Sequence, residues 1–147
     1  MKTIKNMLDE YSESHQNRTN QTIHKFAVPA IMFSIIGLFA CIPTPSFLGD
    51  GNWSMVFAGL SLVYYALLSK KYFLVMLPTV IFMYIGNMFI SQNLDLLTFS
   101  IIVFLVSWAF QFWGHKLEGK KPSFFKDVFF LLIGPLWVAK ALFNIED

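Results

Sequence analysis

The chain has 147 residues, 56% of them hydrophobic, 18% aromatic and only 14% charged, against about 25% charged in an ordinary soluble domain. Mean hydropathy is +0.57, and seventeen Phe with four Trp exceed what a small soluble core buries, so the surplus apolar surface calls for lipid. A formal net charge of +2 is too small to imply nucleic acid, and Cys41, alone, excludes an internal disulfide.

Residues 1–25 are polar, carry charges of both signs and contain no apolar core, so they do not read as a signal peptide. They include the stretch YSESHQNRTNQTIHKFAVP, Tyr11 to Pro29. Tyr11 and His15 are four apart, as are Asn20 and His24, so each pair shares a helical face. His15 and His24 are nine apart and would face opposite ways on one straight helix. They converge only if the chain breaks between them, and QNRTN is rich in turn and cap formers. The expectation is a short N-terminal amphipathic helix, a turn near 17–20, and a helix from about Gln21 leading into the membrane.

Four stretches are apolar and long enough to cross about 30 Å of hydrocarbon: 26–42, 53–69, 72–90 and 96–114. Pro43 and Pro45 end the first, Lys70 and Lys71 form a tight basic turn between the second and third, and Pro78 is a possible kink. A fifth apolar stretch, 128–139, contains Gly134-Pro135 and suits a re-entrant or interfacial helix better than a span. The fold class expected is therefore all-α: a polytopic membrane helical bundle of four transmembrane helices, forming a single integral membrane domain over 1–147.

Arg18, Lys25, Lys70, Lys71, Lys116, Lys120 and Lys121 flank the spans, while the loops 43–52 and 91–95 carry Asp50 and Asp95 and no Lys or Arg. The positive-inside rule then places the N-terminus, the 70–71 turn and 115–126 in the cytoplasm, in a bacterial inner membrane or the endoplasmic reticulum alike. His15, His24 and His115 all fall on that one face. His115 and Glu118 are three apart at the end of the fourth span, Gln111 is one turn earlier, and Trp108 and Trp113 are interface-type aromatics.

Three imidazoles and a carboxylate on one face match the ligand set of a mononuclear site for Fe(II), Zn(II) or Mn(II). Three histidines are too few for a membrane di-iron centre. The competing reading makes the histidines headgroup residues, Glu118 an offset to Lys120 and Lys121, and the protein a non-enzymatic membrane scaffold or lipid-binding protein. Tyr11, Asn20 and Gln111 are then caps and interface residues rather than partners of ligands. A transporter is disfavoured, because no charged residue lies inside the spans.

Two segments resemble the Mpo-like family, similar to the yeast enzyme that metabolises phytosphingosine to odd-numbered fatty acids. Its first pattern, Tyr, His, Asn, His running into a span, is met by Tyr11, His15, Asn20 and His24, with Pro29 following. Its second is met by WAFQFWGHKLEGKKP, with Trp108, Gln111, Gly114, His115, Glu118 and Pro122 in place, and Pro135 matches a later Pro. Ala27 stands where a Gly is common, and LWVAKAL follows Pro135 where the family often has a Glu. The resemblance implies an Fe(II)-dependent dioxygenase that uses molecular oxygen to shorten 2-hydroxy fatty acids by one carbon. It implies that His15, His24 and His115 bind iron, with Glu118 as fourth ligand or as a partner behind the ligands. The substrate's carboxylate is assigned to Lys116, Lys120 or Arg18, and its tail to the spans.

Overall fold

A computed structural model describes residues 3–119, 131–143 and 145. Among the described residues there are six α-helices, a short 3-10 turn at Ser46–Leu48 and no strand. The helices are α1 (Ile4–Glu13), α2 (Arg18–Ala40), α3 (Trp53–Leu68), α4 (Lys70–Asn93), α5 (Leu96–Glu118) and α6 (Ile133–Phe143). By length and composition α2, α4 and α5 can each cross a membrane. At sixteen residues α3 is shorter, about 24 Å at the helical rise.

The local reasons are readable. Thr3 caps α1 by accepting the Asn6 N–H at 3.3 Å, and Leu8 and Tyr11, one turn apart, are its buried residues. The break falls at 14–17, about three residues before the expected 17–20, because Asn17 takes the cap position. Its Oδ1 accepts the N–H groups of Thr19 (2.9 Å) and Asn20 (3.2 Å), so α2 starts at Arg18 rather than Gln21. Asn52 caps α3 through the Met55 N–H (3.2 Å). Asp95 caps α5 through the Thr98 N–H at 2.9 Å, and the Thr98 hydroxyl and N–H hold its carboxyl below the usual range.

Ser69 alone separates α3 from α4, in extended conformation. The expected basic turn at Lys70 and Lys71 is thus the first turn of α4, one residue later than the break itself. α5 runs one turn beyond the expected end of the fourth span and carries His115 and Glu118 with it. Residues 128–130 of the fifth apolar stretch lie outside the described residues, as do Lys120, Lys121 and Pro122. In α6 every residue from Ile133 to Ala139 is buried, and Ala141, Leu142 and Phe143 at its end are exposed.

The chain divides into two compact units, one of residues 1–31 and 105–147, the other Met32–Phe104. In the central unit α3 and α4 pack on each other. The buried stripe of α3 is Ser54, Ala58, Ser61 and Tyr65, and that of α4 is Tyr72, Met76, Val80, Met83 and Asn87. Small residues let the backbones approach. Ser61 returns its hydroxyl to the Phe57 carbonyl at 2.8 Å and needs no partner across the interface. Asn87 joins α4 to α2, donating from Nδ2 to the carbonyls of Phe33 (3.0 Å) and Met83 (2.9 Å). Gly37 lies against Asn87 Oδ1 and Ser100 Oγ so closely that a Cβ there would overlap both. The outward faces stay apolar: Leu67 is 82% exposed and Phe82 76%, a surface suited to lipid and not to water.

Candidate metal centre

The terminal unit holds α1, α6, the start of α2 and the end of α5. Within it the break after α1 sets down His15, the second turn of α2 presents His24, and the last turn of α5 presents His115. All three are buried. One ligand atom from each lies within 4.8 Å of the others, a grouping able to hold a metal ion. Ring centroids are 4.3 Å apart for His15 and His24, 5.0 Å for His24 and His115, and 5.5 Å for His15 and His115. The rings meet edge-on, at 63–84°.

Two rings have a fixed tautomer. His15 Nδ1 is 2.6 Å from the Tyr11 carbonyl oxygen, and His24 Nδ1 is 3.0 Å from that of Asn20. A carbonyl only accepts, so in both rings Nδ1 carries the hydrogen and Nε2 of the neutral ring offers its lone pair. This is how ligand imidazoles are commonly oriented from behind. His24 Nε2 is buried, and the buried Gln111 side chain lies close enough to interact with the His24 ring. The donor set is imidazole nitrogen without thiolate, which suits Fe(II), Zn(II) or Mn(II).

Lys120 lies outside the described residues, and the other predicted residues around the cluster have defined places. The Tyr11 ring stacks on His15 at 4.2 Å and 8°. Asn20 is fully buried on the same face of α2 as His24. Glu118 lies outside the three-histidine grouping. Its carboxylate accepts the backbone N–H groups of Gln16 (2.8 Å) and Asn17 (2.9 Å) and the Asn20 Nδ2 (3.0 Å). The end of α5 therefore clamps the turn that carries His15. Gln21 Nε2 holds the same turn from the other side, donating to the His15 carbonyl at 2.7 Å. Arg18 and Lys116 are exposed.

Gln111 is buried and, with Tyr11, Val28, Ile31, Trp108 and Gly134, lines a small cavity of about 20 Å³, room for one water. Tyr11, Val28 and Gln111 stand four residues from His15, His24 and His115 respectively, so the cavity lies about one turn from each histidine. On the next face of α2, Ile23, Phe26, Ala27 and Ala30 face Ser107 and Phe110 of α5 across an open groove of about 310 Å³, within the size range of ligand sites.

Two further residues support the cluster, Trp137 with no signal in the sequence and Gly114 marked there only as a position of the second pattern. Trp137 of α6 sits 5.4 Å from the His15 ring and 5.5 Å from Tyr11. Its Nε1 donates to Ser12 Oγ at 2.9 Å, and Ser12 passes its own hydrogen to the Leu8 carbonyl, also at 2.9 Å. Gly114 brings α5 up to α2, since a Cβ there would overlap Asn20 Oδ1 and touch His24 Cε1 at 3.5 Å. Trp137 reads as one more aromatic in an oily stretch, and Gly114 gains meaning only beside Asn20.

No curated protein and no solved structure matches the chain. The model of the family described as 2-hydroxy-palmitic acid dioxygenase Mpo1-like matches residues 1–145, nearly the whole chain. The chain belongs to that family.

Proposed function

From this membership and from the three buried imidazoles, we propose that the protein is an Fe(II)-dependent dioxygenase of 2-hydroxy fatty acids, acting in α-oxidation with loss of one carbon. The observation that carries the reading is the convergence of His15, His24 and His115 within 4.8 Å, two of them oriented through Nδ1 by a backbone carbonyl behind the ring. The donor set alone fits three metals, and the family name favours iron. When bound, iron supplies the redox chemistry with molecular oxygen. Atoms and electrons balance without a further reductant: a 2-hydroxy acid and one O2 give the acid one carbon shorter, carbon dioxide and water.

The chain's own groups bind and orient. His15, His24 and His115 hold the metal. Glu118 is the partner behind the ligands rather than the fourth ligand, because donors from Gln16, Asn17 and Asn20 already occupy its oxygens. Arg18 and Lys116, exposed at neighbouring helix ends, are suited to draw in the substrate carboxylate. The apolar groove of Ile23, Phe26, Ala27 and Ala30 receives the tail. Gln111 and Tyr11 line a small cavity beside the cluster, which limits access of bulk water.

The proposed topology follows from the site. His24 opens α2 and His115 closes α5, and both lie in one cluster. The chain must therefore cross an even number of times between them. With α2, α4 and α5 as crossings, α3 is the fourth, which supports a single four-span membrane domain with the histidines on the Lys-rich, cytoplasmic side.

The test is oxygen uptake with product analysis on the purified protein, given a long-chain 2-hydroxy fatty acid with and without Fe(II), beside His115→Ala. Iron-dependent shortening by one carbon, absent in the variant, is expected. No turnover, with no metal retained by either protein, would return the cluster to the scaffold or lipid-binding reading.

A further inference from the structure

Asn20 is completely buried, and one side of its amide is fixed. Nδ2 donates to Glu118 Oε2 at 3.0 Å and to the Ser14 carbonyl at 3.4 Å. A carboxylate that accepts backbone N–H groups and a peptide carbonyl are both acceptors, so nitrogen must stand on that side and the amide cannot be turned over. Oδ1 then faces the other way, buried and without a donor among the described residues. It lies over Gly114, and a methyl group on Gly114 that overlapped it would also touch His24 Cε1 at 3.5 Å. Cε1 is bonded to Nε2, the nitrogen that the Asn20 carbonyl leaves available for a ligand. One residue thus orients the ring of His24 from its backbone and holds an unmet acceptor over Gly114, next to that ring.

A buried acceptor next to a ligand site wants a donor from the ligand. In a 2-hydroxy fatty acid at neutral pH the carboxylate only accepts and the tail does neither. The 2-hydroxyl is the one donor. Resting on the function proposed above, we propose that Asn20 Oδ1 accepts the hydrogen bond of the substrate's 2-hydroxyl group and so distinguishes a 2-hydroxy acid from the plain acid. Gly114 has no side chain because the acceptor needs that space.

The test reads binding, not turnover. Full-length protein in detergent, oxygen excluded, is titrated calorimetrically with 2-hydroxypalmitate, 2-methoxypalmitate and palmitate, and its metal content is measured by elemental analysis. The methoxy acid keeps the oxygen and loses the hydrogen. Wild type is expected to bind the 2-hydroxy acid roughly ten to a hundred times more tightly than either analogue. Asn20→Ala, which leaves Glu118 its Gln16 and Asn17 donors, should bring the three affinities together when compared at equal metal content, and Gly114→Ala, which strikes the same atom from the opposite side, should narrow the spread likewise. Equal binding of the hydroxy and methoxy acids by wild type, as expected if a water or the Gly114 backbone serves Oδ1 instead, overturns the proposal and leaves the dioxygenase reading standing. So does a preference that survives in either variant. If Asn20→Ala does not fold, the wild-type comparison and Gly114→Ala decide. Wild type that binds none of the three acids overturns the parent reading, and this one with it.

Discussion

The two compact units bury different kinds of polar group. In the central unit the buried polar residues are small or amide side chains, Ser34, Ser54, Ser61, Asn87 and Ser100, and hydrogen bonds such as those of Ser61 and Asn87 run to carbonyls within the unit. In the terminal unit they are His15, Asn20, His24, Ser107, Gln111 and His115. There backbone carbonyls take one nitrogen of His15 and of His24 and fix the orientation of both rings. Burial alone does not mark a site in an oily protein. What marks it is a set of buried groups whose local hydrogen bonds hold them in position without using up their chemistry.

Four changes would break or sharpen that contrast. The largest effect belongs to His24→Ala, which should weaken metal binding more than about 100-fold, seen by elemental analysis after dialysis against a chelator, while far-ultraviolet circular dichroism stays helical. Glu118→Gln comes next. Its amide cannot accept at both oxygens from Gln16, Asn17 and Asn20, so metal affinity should fall about 10–100-fold with all three ligands still present. Unchanged affinity would mean the clamp on the His15 turn is dispensable. In the central unit Gly37→Ala places a methyl into Asn87 and Ser100 and should cost about 1–3 kcal/mol of stability, read by denaturant titration, with metal stoichiometry unchanged. Loss of metal there would erase the distinction between the units. The smallest is Trp137→Phe, which keeps a ring beside His15 and removes only the bond to Ser12, worth about 0.5–1.5 kcal/mol.

Much of this was legible from the residues, for physical reasons that differ by element. Long uncharged runs mark α2, α4 and α5, because few other structures accept them. The three histidines stand out because the chain has only three and charge patterning puts them on one face. The break was misplaced by about three residues because QNRTN contains several competent caps, and only the geometry chooses Asn17. Glu118 was ambiguous for a sharper reason. Its spacing from His115 makes it look like a ligand, yet its partners are 98–102 residues away in sequence, and no local pattern encodes them. The burial of α6 was hidden too, since a segment that is apolar all round has no period to read.

That separation of about a hundred residues has a consequence in time. A growing chain makes His15 and His24 early, but the carboxylate that fixes the His15 turn, and His115 itself, come only with the end of α5. Local structure cannot close the site in advance, and contacts this distant in sequence form late. The nascent protein therefore carries two unclamped histidines through most of its synthesis, and acquires its metal-holding geometry only as the last quarter of the chain emerges.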